Sequence, residues 1–357
     1  MEMRKELLPP DKLKAKPQDE SALGFGKIFT DHMFVADYTE GQGWHDARIV
    51  PYGPFSLDPA ALVLHYAQEC FEGLKAYRGK DGSVYLFRPE GNAQRMINSC
   101  ERICIAPPPQ DLFLDGTKEL VKTEKEWVPS SPGTSLYIRP TIIATEAMVG
   151  VKVSSTYLFY IILSPVGTYF PQGFNPVSIY VEEKYIRAAP GGLGHAKVGA
   201  NYAASLLAAR EAQAKGFAQV LWLDACDKKT IEEVGTMNMC FVIKGEVITA
   251  PLGGTILPGV TRDSMVKLCQ QWGIKVSERR LTIDELIEVQ KSGALEEAFG
   301  CGTAAVISPV GQFTYKGQDY QVADGKNGAI SKKLYDEIVG IQYAEKPDPF
   351  GWRVKVA

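Results

Sequence analysis

Histidine is scarce in this 357-residue chain: there are four, His32, His45, His65 and His195, and no two stand in HxH or HxxxH spacing. The seven cysteines (Cys70, Cys100, Cys104, Cys226, Cys240, Cys269 and Cys301) form no CxxC pair and no compact cluster with histidine. No metal site is therefore expected. An odd cysteine count in a long chain without a secretion signal also argues against a disulfide framework and for reduced thiols in a cytoplasmic protein. A basic surplus is missing too: 39 Lys and Arg stand against 42 Asp and Glu, for a net charge of -3 and a pI near 5.9. Nothing in that balance would drive binding to a nucleic-acid backbone. Long apolar runs are absent. The most apolar stretch, TYLFYIIL at 156–163, is too short to cross a membrane, and its aromatic and β-branched residues suit a buried strand. The opening MEMRKELLPPDKLKAKPQDESA has no apolar centre, so neither a signal peptide nor an anchor is expected, and it reads as an arm over the first domain.

What remains is an ordinary globular composition, 45% hydrophobic and 23% charged. Single cores stop growing near about 250–300 residues, so two domains are expected. The hairpin signal AYRGKDGSVYLF (76–87) has Asp81-Gly82 at its turn, and RPEGNAQRMINSCERICI begins with a proline suited to a helix's first turn. GTSLYIRPTIIATEA, TYLFYIILSPV, VSIYVEEKYIRA, AQVLWLD, MNMCFVIKGEVITA and AAVISPV read as strands. NYAASLLAAREAQAKG, TRDSMVKLCQQWG and TIDELIEVQKSG read as helices. Three prolines and two glycines in SPVGTYFPQGFNPV (164–177) mark the best boundary. The reading is an α/β (α+β) chain of two mixed domains: 1–168 the smaller, 169–177 an interdomain loop, and 178–357 the larger, carrying Lys197.

Lys197 lies in GGLGHAKVGANYAAS, among four glycines and almost no other charge. A lysine ordinarily extends into water. Here the glycines give room for a bulky group to approach, and an amine with little polar company is suited to carbonyl chemistry. A pyridoxal-type cofactor would need that amine, a cup for a dianionic phosphate and a carboxylate for its ring nitrogen. For the phosphate, GGTILPGVTRDSM runs into a helix whose first amides are those of Val260 and Thr261. GCGTAAV adds the hydroxyl of Thr303, and Arg95 a permanent charge. Glu233, ahead of the uncharged strand in EEVGTMNMCFV, is the candidate carboxylate. Each of these taken alone also reads as a helix cap, a surface charge or an ion pair.

Taken together, FEGLKAYRG, LFRPEGNAQRM, GTSLYIRP, PVGTYF, KVGANY, EVGTMN, LPGVTR and FGCGTAAV resemble the branched-chain-amino-acid aminotransferases, fold type IV pyridoxal-phosphate enzymes. The likeness runs from GFGKIFTDHM to EIVGIQYAEK. It implies pyridoxal 5′-phosphate carried covalently on Lys197, with Tyr202 on its phenolic oxygen and Glu233 on its ring nitrogen. Arg95, Thr236, Val260, Thr261 and Thr303 complete the cofactor set. Phe25, Tyr66, Phe71, Tyr137 and Tyr169 would wall an apolar substrate pocket, with Val151 contributed across a homodimer. Arg139 would pair with the distal carboxylate of glutamate, and the Thr303 and Ala304 amides with the α-carboxylate. The implied reaction is ping-pong transfer of the amino group between leucine, isoleucine or valine and 2-oxoglutarate. Two departures stand out: Ala200 where many members carry glycine, and Ala305 and Ser308 where some animal members carry a CxxC pair. The competing readings are a D-amino acid aminotransferase, an aminodeoxychorismate lyase and a noncatalytic binder of phosphate ligands.

Overall fold

The computed structural model of the chain describes residues 3–167 and 174–357. The chain splits into two compact units, Met1–Tyr169 with Ala196–Gly199 and Gly340–Ala357, and Phe170–His195 with Ala200–Val339. The four-residue segment holding Lys197 clusters with the first unit, whereas the sequence reading assigned it to the second.

Strands β1 (Arg4–Lys5), β2 (His32–Thr39), β3 (Gly43–Pro51), β4 (Glu69–Phe71), β5 (Leu74–Arg78), β6 (Val84–Phe87), β7 (Ser135–Ala144) and β8 (Thr156–Val166) build the first sheet. The second contains β9 (Val177–Val181), β10 (Gln219–Leu223), β11 (Ile231–Val234), β12 (Met237–Ile243), β13 (Glu246–Thr249), β14 (Val276–Glu278), β15 (Leu295–Gly302), β16 (Val306–Tyr315) and β17 (Gln318–Gln321), and β18 (Arg353–Lys355) returns to the first. The first sheet runs β1-β3-β2-β8-β7-β5-β6-β18 with β4 against β7, and the second β11-β10-β9-β16-β15-β12-β13-β14 with β17 against β16. Both are mixed: β1 and β3 pair in parallel, as do β9 with β10 and β16, and β13 with β14.

The expected hairpin forms, with Tyr77 opposite Tyr85 and Gly82 at φ 78 in its turn. Strands β7 and β8 pair along their length, from Ser135 opposite Val166 to Ala144 opposite Tyr157. Because side chains alternate, this register sorts the sheet into two faces. Leu136, Ile138, Ile142, Leu163, Ile161 and Phe159 are fully buried on one. There α3 (Gln110–Thr123), which follows α1 (Leu62–Tyr66) and α2 (Pro89–Arg102), stacks Phe113 on Phe159 at 6.2 Å between ring centroids. The other face presents Phe71, Lys75, Tyr137, Arg139 and Thr141, joined by the register of β4, β5 and β7.

The second unit carries α4 (Gly199–Ala214, its first residue in the first unit), α5 (Val260–Gln271) and α6 (Ile283–Lys291), and α7 (Ala329–Gln342) precedes β18. Two strand expectations need correction. VSIYVEEKYIRA is a strand only over Val177–Val181, after which Glu182 turns the chain by accepting the Lys184 and Tyr185 amides. MNMCFVIKGEVITA divides into two strands, β12 and β13, and Glu233, ahead of it as expected, itself lies within a further short strand, β11, joined to β12 by a two-residue turn. The opening arm does pack on the first unit. The Leu8 amide donates to His32 Nε2 at 2.9 Å and the Lys14 amide to Asp31 Oδ1 at 2.8 Å.

Candidate active site

The site residues of the first unit are gathered by α2 and β4. On α2, Asn92, Arg95 and Ser99 recur at helical spacing and form a buried polar stripe on the inward face. The stripe is satisfied by Glu72, which is fully buried: Arg95 Nε donates to Oε1 at 2.7 Å, while Arg95 Nη2 and Asn92 Nδ2 donate to Oε2 at 2.9 and 2.8 Å. Burial alone would raise the Glu72 carboxyl, but the charges of Arg95 and Lys197 and these bonds hold it below its ordinary value.

Lys197 is half-buried and held by its backbone: its amide donates to Ser99 Oγ at 2.9 Å, and its carbonyl accepts from the Phe71 amide at 3.0 Å. Its ammonium lies 4.9 Å from the centroid of the Phe71 ring. Two residues on, the Gly199 amide donates to Glu69 Oε1, so close that a Cβ at Gly199 would overlap the carboxylate. The glycine expected to admit a ligand thus admits Glu69. Burial pushes the Glu69 carboxyl up against the opposing pull of the Gly199 amide and Arg139. Ala200 is an exposed helical residue without positive φ, so the missing glycine leaves the backbone undisturbed.

Four of the expected pocket residues meet on the open face of the first sheet. The Phe25 and Tyr137 rings pack edge-to-face at 4.9 Å, and Arg139 lies 4.7 Å over Phe71 and 5.3 Å over Tyr137 while donating to the Tyr137 hydroxyl at 3.1 Å. Tyr66 and Val151 are exposed, 39% and 82%, and the Tyr66 hydroxyl donates to the Val149 carbonyl. Tyr169 lies outside the described residues.

In the second unit, Tyr202, Glu233 and Thr236 line one open cleft together with Arg187, Asn201, Ser205, Gly235 and Leu257. Glu233 is 2% exposed. Its Oε1 accepts the Leu257 amide at 2.8 Å and Asn238 Nδ2 at 3.2 Å. Arg187 Nε lies 3.1 Å from Oε2, an ion pair by distance whose N–H is not aligned for a hydrogen bond. Such a carboxylate is suited to hold a proton on a ring nitrogen. Asn238 also donates to the Leu257 carbonyl, and a Cβ on Gly259, the N-cap of α5, would overlap Asn238 Oδ1. The N-terminus of α5, with half-buried Val260 and buried Thr261, is thereby tied to the Glu233 network. Half-buried Thr303 and Ala304 occupy the turn between β15 and β16, and Asn238 is the register partner of Cys301. That turn ends at Val306 with φ 62, a conformation a β-branched residue rarely adopts. The donor set fits a ring with a protonatable nitrogen, a phenolic oxygen and an anionic arm.

Sequence reasoning missed Glu69, Glu72, Ser99, Arg187 and Asn238. The inward polar stripe of α2 was a signal for Glu72, since a buried Arg requires an acid nearby.

The fold and these residues define a class. The amino-transferase class IV profile matches residues 69–313, and the chain belongs to that family. Among its relatives, branched-chain-amino-acid aminotransferase 2 of Bacillus subtilis strain 168 is 54% identical over 344 residues, covering 96% of this chain and 94% of the relative. A protein of Staphylococcus aureus strain MRSA252 named as a probable branched-chain-amino-acid aminotransferase is 52% identical over 345 residues, 96% of either chain. The crystal structure of the Escherichia coli branched-chain amino acid aminotransferase superposes with a TM-score of 0.75 at 26% identity, covering 91% of this chain and 99% of that one. The protein is an aminotransferase of fold type IV architecture. No helix among the described residues is long and apolar enough to cross a membrane.

Proposed function

We propose that this aminotransferase acts on L-leucine, L-isoleucine and L-valine with 2-oxoglutarate as the amino acceptor, in ping-pong fashion, using pyridoxal 5′-phosphate. The observation that carries the cofactor reading is Glu233, a buried carboxylate supplied with an amide, an amide side chain and a guanidinium, in one cleft with Tyr202 and Thr236. The relatives at 50% identity and above support the substrates.

Bound, pyridoxal phosphate supplies an electron sink for negative charge at the substrate Cα. Lys197 Nζ would hold the cofactor and, as a free amine, would take the proton from the substrate Cα. Glu233 keeps the ring nitrogen protonated. Tyr202 hydrogen-bonds the phenolic oxygen. Thr236 lines the cleft beside the ring. Arg95, the Val260 and Thr261 amides and Thr303 bind the phosphate. Phe25, Tyr66, Phe71, Tyr137 and Tyr169 exclude water from the aliphatic side chain, with Val151 from a second protomer of a cytoplasmic homodimer. Arg139 pairs with the distal carboxylate of the acidic substrate, and the Thr303 and Ala304 amides with the α-carboxylate.

Adding pyridoxal phosphate should give the protein a visible absorption band, which L-leucine should then shift and D-alanine should not. Borohydride reduction followed by peptide mapping should place the pyridoxyl group on Lys197. A protein that stays colourless, a label on another lysine, or a response to D-alanine alone would overturn the reading.

A further inference from the structure

The hydrogen bonds around Lys197 close into a ring within the first unit. The Lys197 carbonyl accepts the Phe71 amide, and the next residue, Glu72, accepts the Arg95 guanidinium. One helical turn later, Ser99 Oγ donates to the Arg95 carbonyl at 2.9 Å while accepting the Lys197 amide at 2.9 Å. Ser99 is fully buried. Its hydroxyl has one proton and two lone pairs, so donating to α2 and accepting from Lys197 are compatible roles. The side chain adds no charge to the site and is remote from the chemistry except through the backbone of Lys197.

We infer that Ser99 is a positioning residue for Lys197, fixing the lysine's backbone to the helix that carries Arg95 so that the amine and the phosphate-binding arginine are held as one piece. The inference rests on the proposed roles of Lys197 and Arg95. Physically, a lysine with four rotatable side-chain bonds can deliver its amine to a defined point only if its Cα is fixed, and small misplacements of a reacting group cost rate far more than binding. Two hydrogen bonds at the lysine's own peptide groups supply that fixing. Without the hydroxyl, the part-buried Lys197 amide would lose its bond to fully buried Ser99, and the segment would relax to satisfy it.

The test is Ser99→Ala, with Ser99→Cys as a second variant in which sulfur fills the space but accepts hydrogen bonds weakly. In the cofactor-free protein, amide exchange at Lys197 should accelerate about tenfold in Ser99→Ala, while exchange in β7 and β8 stays within about twofold of wild type. With cofactor, kcat for L-leucine should fall about tenfold with KM unchanged within about twofold, and Ser99→Cys should lie between. Unchanged exchange at Lys197, or exchange accelerated throughout the first unit with KM and kcat altered alike, would overturn the inference and make Ser99 a core residue only. If Ser99→Ala does not fold, Ser99→Cys is read by the same two measurements. A wild-type protein whose borohydride label lands on another lysine would instead fail the reading on which the inference rests, whatever the exchange data show.

Discussion

Arg139 illustrates what a single residue does in two capacities. Its guanidinium covers the Phe71 and Tyr137 rings, and under the proposed function it also meets the distal carboxylate of glutamate. Arg139→Gln should lower kcat/KM for glutamate about ten- to a hundredfold, the worth of a charge-assisted contact, and change leucine by no more than about threefold. Half-reaction rates measured with each amino acid decide it, and equal losses would make the arginine part of the wall only. Lys75, on the same face of the sheet, is 7% exposed, and burial pushes its ammonium down to about 8. A cation whose pKa is lower in the folded than in the unfolded chain binds fewer protons when folded across that interval, so stability should rise as pH climbs from about 8 toward the ordinary lysine value. Unfolding free energies from urea titrations at pH 7.5 and 9.5 should differ by about 1–2 kcal/mol in the wild type, and Lys75→Met should flatten the slope. Lys197, Arg95 and Glu233 can be singled out in the sequence as candidates from their local setting. Glu69, Glu72 and Ser99 cannot, because an acid or a serine acquires its meaning from what the fold brings to it. Glu72 and Arg95 stand 23 residues apart, and Ser99 and Lys197 are 98 apart.

At the scale of elements, helices α2, α4, α5 and α6 and strands β5–β10, β12, β13 and β16 could be read from the sequence, whereas α3, α7, β2, β3 and β15 were not. Two departures have local causes. Strand β11 is only four residues long and includes two adjacent glutamates, Glu232 and Glu233, both buried against the ordinary preference of charge for water. Neither a short length nor buried charge leaves an alternating pattern to find. The continuation after β9 looked extended because EEKYIRA runs on from VSIYV without a glycine or proline, yet Glu182 spends its carboxylate on the following amides and stops the ladder. The start of α5 was legible from Leu-Pro-Gly-Val-Thr, but not its attachment to Asn238. Gly259→Ala, which would push Asn238 away from Glu233, should therefore weaken pyridoxal phosphate binding about tenfold while leaving the helix intact. Equilibrium titration of the cofactor-free protein with far-ultraviolet circular dichroism as control measures it, and an unchanged affinity would uncouple the helix from the ring-nitrogen site.

For the whole molecule, the exposed apolar residues are unevenly placed. Leu64 and Tyr66 on α1 neighbour Met148 and Val149 through the Tyr66–Val149 bond and the Met148 amide donating to the Ala60 carbonyl, and Val151 and Val153 follow on the same loop. A contiguous apolar patch of this kind favours association. Light scattering after gel filtration should give a mass about twice 39.2 kDa, and Val151→Asp should shift the protein toward monomer by placing a charge in the covered patch. A wild type that elutes as monomer at micromolar concentration would remove the second protomer from the proposed pocket. The opening arm has a different bearing on how molecules meet. Strand β1 lies along β3, pairing Arg4 with Arg48 and Lys5 with Ile49, and the Glu6 amide donates to the Ile49 carbonyl at 2.8 Å. It occupies hydrogen-bonding groups that a bare β3 would offer to any extended chain, and its two pairing residues are both cationic. The latches at Asp31 and His32 then serve shelf life as much as folding: a protein trimmed of its first fourteen residues should keep its turnover when fresh and grow turbid on storage, as edge strands of separate molecules find one another.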